Sequence, residues 1–250
     1  MIEMAQRFVT TPARGLPVTF AVRDGTNDDQ VAIACNVWGE TRGDEYRMTG
    51  RAVSGWVIDV GAHIGAWSIP TALDHPDVQV IAIEAVPENA ALLTENVRRN
   101  LTDPERFHVV QAFAARPGTR EAICHYGYTS DPSANDDYLS AHRFVAETWG
   151  ARGRPAFSPT VTAVNLDELL ARFGITDVAL IKIDCEGCEW YFLDTPAIAN
   201  VQTIVGEYHG GITGVEDPQG RLLELLGRTH DVTIWNPEET VSGLFEAVRR

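Results

Sequence analysis

Gly55-Trp56-Val57-Ile58-Asp59-Val60-Gly61-Ala62-His63-Ile64-Gly65 is an apolar run that ends on an acidic residue and passes into two glycines four positions apart. A run this short, closed by glycine, reads as a strand buried on both faces. Val78-Gln79-Val80-Ile81-Ala82-Ile83-Glu84 repeats the pattern, and Ile64 to Asp74 between them has the length of a helix. Pro87 then stands where proline suits a first helical turn, and Ala91, Leu92, Glu95, Val97 and Leu101 mark the stripe of that helix. Further strands are expected at His108–Ala112, Val178–Asp184 and Val201–Tyr208, with a weaker one from Glu121 to His125. Further helices are expected at Leu166–Phe173, capped by Asn165 and stopped by Gly174, and at Arg221–Gly227. Asp231–Trp235 and Gly243–Val248 form a closing strand pair around Asn236-Pro237. Parallel strands need crossover helices, so the alternation predicts an α/β fold with a doubly wound, mostly parallel sheet. Ligands in such sheets bind beyond the carboxyl ends of the strands, where Asp59, Glu84, Gln111, Asp184 and Glu207 are expected to line one crevice.

Two stretches depart from the alternation. In the first fifty residues, Pro17–Val22 and Val31–Val37 read as short strands joined by Asp24-Gly25-Thr26-Asn27, a β-rich N-terminal cap (1–50) ahead of the main domain (51–250). Tyr126 to Pro159 is an irregular polar insertion carrying Tyr126, Tyr128, Tyr138, His142, Phe144, Trp149 and Phe157 together with Arg143, Arg152 and Arg154. Such a segment at the carboxyl edge is expected to act as a lid and to choose a polycyclic, glycosidic or carboxylate-bearing acceptor. The 250 residues hold 20 Lys+Arg against 35 Asp+Glu, a formal charge of −15, which repels phosphate backbones and anionic headgroups. Nucleic acid and membranes are therefore not expected partners. No apolar run approaches the roughly 18 residues of a membrane helix, and Glu3 and Arg7 interrupt the first ten positions, so a cytoplasmic protein is expected. Four cysteines, at 35, 124, 185 and 188, are too few for a disulfide scaffold, and reduced thiols are the expectation.

The glycines at 61 and 65 are expected to let backbone approach a ligand and to offer it unpaired N–H groups at a helix start. Glu84 lies 19 residues past Gly65 at the end of the next strand, where a carboxylate accepts both hydroxyls of a ribose. This pairing points to an adenosine-containing cofactor. A nicotinamide-dependent oxidoreductase is disfavoured because His63 stands where a dinucleotide fingerprint needs glycine; a non-catalytic cofactor-binding module is the alternative from another class. In order along the chain, Ile58-Asp59-Val60-Gly61-Ala62-His63-Ile64-Gly65, Ile83-Glu84-Ala85-Val86-Pro87-Glu88-Asn89 with Asn96-Val97, Val164-Asn165-Leu166-Asp167-Glu168-Leu169-Leu170 and Leu180-Ile181-Lys182-Ile183-Asp184-Cys185-Glu186-Gly187-Cys188-Glu189 resemble the FkbM family of methyltransferases. The resemblance implies a seven-stranded, Rossmann-like class I sheet and S-adenosylmethionine as cofactor. It assigns Asp59 with Gly61, Ala62, His63, Ile64 and Gly65 to the methionine end, Glu84 to the ribose with Ala85 beside it, and Gln111, Ala112 and Phe113 to the adenine. Ala85 and His63 stand where the family tends to have Pro and Asn; neither change removes a carboxylate or a glycine.

Methyl transfer is an in-line displacement in which the enzyme holds an acceptor oxygen behind the methyl carbon and removes its proton late. Asp184, Glu186, Glu207 and His209 flank two neighbouring strand ends and are the catalytic candidates. His209, with an ordinary pKa near about 6.5, suits the base's role best. Asp184 has a structural alternative as acceptor at a helix start, and Glu186 as a cap or as partner of Lys182. Asp184, Glu186 and Glu207 offer hard oxygens to a divalent cation, but a metal-free site is favoured. Cys185 and Cys188 are read as small hydrophobes, ahead of a redox pair or a zinc site. The family implies transfer to a hydroxyl of a small-molecule acceptor, a natural product or a sugar moiety.

Overall fold

The computed structural model describes residues 6–13, 16–24, 26, 28, 31–32, 45–124, 158–210, 214–235 and 242–250. The expected lid, apart from its last two residues, lies outside this set, as do Cys35, residues 33–37 and Asn236-Pro237. The chain opens on β1 (Gln6–Ala13) and β2 (Leu16–Arg23), then β3 (Gly55–Val60), α1 (Ser68–Asp74), β4 (Val78–Glu84), α2 (Pro87–Asn100) and β5 (Phe107–Gln111). Three short strands follow, β6 (Phe113–Ala114), β7 (Glu121–Ile123) and β8 (Thr160–Val164). The remainder is α3 (Leu166–Phe173), β9 (Val178–Ile183), α4 (Glu189–Phe192), β10 (Val201–His209), α5 (Pro218–Leu226), β11 (His230–Trp235) and β12 (Ser242–Arg249). Seven strands form the main sheet in the order β11-β12-β10-β9-β3-β4-β5, parallel except that β12 runs antiparallel to both its neighbours. The doubly wound α/β expectation holds.

The chain builds outward from β3 to β4 and β5, then crosses back to lay β9 against the other side of β3, so the switch point lies at the carboxyl ends of β3 and β9. Both faces of β3 are buried, which is why the strand shows no polar alternation. Ile58 and Val60 belong to one side of the core together with Leu166 and Leu169 of α3 and Leu222 of α5; Val57 belongs to the other side with Ile69 of α1 and Leu92 and Leu93 of α2. Asn165 caps α3 by accepting from Glu168 N at 3.0 Å, a bond worth about 1 kcal/mol, and the helix ends at Gly174 as the sequence predicts. Among the described residues no helix is long and apolar enough to cross a membrane.

The N-terminal reading needs correction. β2 pairs with β1, in a register from Gln6↔Arg23 to Ala13↔Leu16, and Val31 and Ala32, the described residues of the expected second strand, are helical. Phe8-Val9-Thr10-Thr11 is itself β-forming, and only two residues separate β1 from β2, so the local hairpin forms. Val18, Phe20, Ala21 and Val22 are fully buried in the same core as α1 and α2. The outer edge of β2 is closed by two asparagines of α2. Asn96 Oδ1 accepts from Ala21 N at 2.7 Å and Asn100 Oδ1 from Thr19 N at 2.9 Å, while their amide groups donate to the carbonyls of the same two residues. Backbone groups that would otherwise remain unpaired at an edge are satisfied in this way.

Candidate active site

The loop after β3 turns through three left-handed residues, Gly61 (φ 80°), His63 (φ 49°) and Gly65 (φ 89°), which delays α1 from the expected Ile64 to Ser68. The missing Cβ atoms of both glycines make room for packing. A Cβ at Gly61 would overlap the carbonyl oxygen of Asp184, and one at Gly65 would lie 2.6 Å from Leu93 Cδ1 and 2.7 Å from Ile69 Cδ1. Gly61→Ala is therefore expected to cost about 2–5 kcal/mol through overlap with backbone and an L-residue at positive φ, measured as a lower urea midpoint. The N–H groups expected to await a ligand are largely used as well: Gly61 N and Ala62 N both donate to Ile83 O at 3.0 Å, His63 N to Glu84 Oε2 at 2.8 Å and Gly65 N to Ala62 O at 2.8 Å. These bonds tie the loop to the end of β4. Asn and His are both among the side chains that tolerate φ > 0, which explains how His63 fits a position where the family tends to have Asn.

Glu84 ends β4 almost wholly buried, accepting from Val86 N at 2.8 Å and Asn89 Nδ2 at 3.3 Å on Oε1 and from His63 N on Oε2. Burial pushes its carboxyl up to about 7 against these donors, with nearby Asp59 adding to the rise. Asp59 is itself completely buried. It faces Lys182 Nζ at 3.3 Å, and that ammonium also donates to Gly61 O at 3.2 Å, so Asp59 bears on the loop through Lys182. Gln111 is exposed at the end of β5, whereas Ala112 and Phe113 are buried, Phe113 within the α3 side of the core.

Across the switch point, Asp184, Glu207 and His209 each bring one ligand-capable atom within 4.8 Å of the others. Glu186, which the cation reading placed with Asp184 and Glu207, lies 3.7 Å from His209 Nε2, the atom that Glu207 Oε1 approaches at 3.8 Å, and Lys182 pairs with Asp59 and, at 3.9 Å, with Asp184. The acceptor at the start of α4 is Glu189, not Asp184. Its buried carboxylate receives Gly187 N at 2.9 Å and His209 N at 2.7 Å and lies 3.2 Å from His209 Nδ1, fixing the ring. Tyr46 donates its hydroxyl to Asp184 Oδ2 at 3.1 Å. Burial would lower the His209 pKa, but Glu189, Glu186 and Asp184 outweigh it and hold it well above the ordinary imidazole value. Glu207 is pushed up to about 7 by burial and by Asp184, with His209 opposing. Cys185 and Cys188, expected as reduced thiols, form a disulfide with Cα atoms 5.4 Å apart, because Glu186 and Gly187 turn left-handed between them.

Residues 59–232 match the family model of the methyltransferase FkbM domain. The chain belongs to the FkbM methyltransferase family. Its members are S-adenosylmethionine-dependent methyltransferases, and the strand-end carboxylates lie within the matched range. The chain is 27% identical over 206 residues to the AMB antimetabolite synthetase AmbE of Pseudomonas aeruginosa, a match that covers 70% of this chain and 9% of that much longer protein. Similar solved structures include methyltransferase FkbM from Methylobacillus flagellatus KT (16% identity, 83% of this chain and 46% of that one, TM-score 0.48). Another is the precorrin-6y C5,15-methyltransferase of Geobacter metallireducens GS-15 (14% identity, 82% and 83% covered, TM-score 0.44).

Relative to the sequence reading, the FkbM site gains Tyr46, Lys182 and Glu189. Lys182 and Glu189 stand inside the Lys-Ile-Asp-Cys-Glu-Gly-Cys-Glu block and were open to reading from it; Tyr46 carries no local signal.

Proposed function

We propose that this FkbM protein is an S-adenosylmethionine-dependent O-methyltransferase acting on a hydroxyl of a small-molecule acceptor, a natural product or a sugar moiety. The reading is carried by the convergence of Asp184, Glu207 and His209 at two adjacent strand ends, across the switch point from Glu84 and the loop after β3. The residues fit the cofactor. Glu84 ends β4 where ribose hydroxyls would reach it, and the carboxylates of Asp184 and Glu186 favour the positive charge of a sulfonium and an ammonium group. The bound cofactor supplies an electrophilic methyl group; the chain's own residues orient the acceptor and accept its proton. Glu207, partly exposed and raised toward neutrality, takes the proton of the acceptor hydroxyl. His209, cationic among its carboxylates, donates toward the acceptor oxygen and steadies Glu207 once ionised, an exchange of the base's role from His209 to Glu207. Tyr46 and Lys182 hold Asp184 in place. The formal charge of −15 favours a small acceptor over a polynucleotide.

A second reading, magnesium held by Asp184, Glu207 and His209 against the acceptor oxygen, is favoured by the spacing of those three groups. The deciding assay supplies methyl-labelled S-adenosylmethionine and a panel of hydroxylated acceptors, with and without chelator. Label on an acceptor oxygen, indifferent to chelator, is the expected result. Activity abolished by chelator and restored by magnesium alone would establish the second reading, and binding of nicotinamide dinucleotides alone would overturn both.

A further inference from the structure

The N-terminal hairpin carries a buried ion pair that reaches the end of β4. Arg23, the last residue of β2, donates from Nε to Asp28 Oδ2 at 2.7 Å and from Nη2 to Asp28 Oδ1 at 2.8 Å; both side chains are buried. The same Nη2 donates to Asn89 Oδ1 at 2.7 Å. Asn89, in the first turn of α2, donates in turn to Glu84 Oε1. On the other side, Asp28 Oδ1 lies 3.9 Å from His63 Nε2, and the backbone N–H of His63 donates to Glu84 Oε2. The contacts close a ring, Arg23–Asn89–Glu84–His63–Asp28, in which both oxygens of Glu84 are held through groups that the hairpin segment touches. Arg23 and Asp28 lie outside the residues matched to the family, 59–232.

We infer that Arg23 and Asp28 are positioning residues for the cofactor: through Asn89 and His63 they fix the Glu84 carboxylate in the orientation that receives the ribose hydroxyls. The inference rests on the reading of Glu84 as the ribose ligand. A buried carboxylate binds a ligand more tightly when its rotamer is set in advance, because a mobile one must be ordered on binding. Asn89 is well suited to the relay: its amide oxygen takes the Arg23 donor and its amide nitrogen supplies one to Glu84, so the guanidinium dictates which way the amide faces. A bidentate Arg–carboxylate pair is in turn the stiffest anchor available to it. Asp28 is held below the ordinary carboxylate range by Arg23 and His63 in spite of its burial, so the anchor stays ionised. His63 is driven by burial down to about 4 and remains neutral beside it. The N-terminal cap thereby becomes part of the cofactor site, not a cover laid over it.

Removing one member of a buried pair strands the other charge, so the test replaces both, Arg23→Met with Asp28→Asn, and breaks the relay separately with Asn89→Ala. Affinity is measured by calorimetry for S-adenosylhomocysteine and for its 2′,3′-dideoxy analogue, which lacks the hydroxyls that Glu84 receives. Thermal melting confirms that each variant is folded. Both variants are expected to bind the parent ligand about tenfold more weakly and the dideoxy analogue within about twofold of the unmodified protein. Equal losses on both ligands would show a general structural effect and overturn the inference, as would no loss on either. Glu84→Gln run alongside separates the two levels. If it discriminates between the ligands and the hairpin variants do not, positioning alone fails; if it does not discriminate, the ribose reading fails and takes the inference with it.

Discussion

Glu207→Gln is expected to lower methyl transfer by about 10²–10⁴-fold while S-adenosylhomocysteine binds within about twofold of the parent affinity. The amide keeps the volume of the side chain at the end of β10 but cannot accept a proton from an acceptor hydroxyl. Glu207 must be ionised to act, so the parent's rate should rise with pH through about 7, where burial and Asp184 have placed its titration, and level off above. The variant's residual rate should lack that limb. His209→Ala separates this assignment from its rival. The imidazolium lies 3.8 Å from Glu207 Oε1 and favours the ionised carboxylate, so its removal should move the limb to higher pH and leave part of the activity recoverable there. If His209 were the base, the same substitution would erase the limb altogether. A limb that vanishes in His209→Ala and persists in Glu207→Gln would return the base's role to the imidazole.

The contrast between those two residues marks where the sequence stops being sufficient. The strands at 55–60, 78–84 and 178–183 and the helix between Asn165 and Gly174 are legible because their signals are local: apolar runs of strand length, a side-chain cap, a terminal glycine. The protonation of His209 is a sum over Glu189 and Glu186 from the turn into α4 and Asp184 from the end of β9, and nothing near position 209 announces it. The disulfide depends on left-handed backbone at Glu186 and Gly187, which a C-x-x-C spacing permits without requiring. The two loop glycines stand out in the sequence, but the packing they permit does not: their missing Cβ atoms make room for Asp184 and Leu93, contacts that exist only once β9 and α2 have docked. The link from Arg23 to the β4 end was likewise invisible, since its partner Asn89 is 66 residues away. What the sequence reveals are groups placed at element ends; what it conceals is which of those groups are turned toward each other.

Glu84→Gln carries the other large effect, and the structure changes how it should be made and read. Alanine would orphan three buried donors, Val86 N, His63 N and Asn89 Nδ2, and confound folding with binding. Glutamine keeps one carbonyl oxygen for them and removes the charge that two ribose hydroxyls would meet, so S-adenosylhomocysteine affinity should fall by about 3 kcal/mol, on the order of 10²-fold. Because burial has raised the Glu84 carboxyl to about 7, the folded protein holds a proton there between about pH 4.5 and 7 that the unfolded chain has already lost. The associated stabilisation is present at low pH and disappears as pH rises through that window, and Glu84→Gln should flatten this part of the stability profile. Hydroxyls donate to the ionised carboxylate, so binding lowers its pKa and expels the proton. Calorimetry in buffers of different ionisation enthalpy should accordingly show about one proton released near pH 6 and none near pH 8, with affinity rising up to about tenfold per pH unit below 7 and constant above. The glutamine variant should release none at either pH. Proton release that survives the substitution would place the titrating group elsewhere and leave Glu84 as a structural acceptor for its three donors.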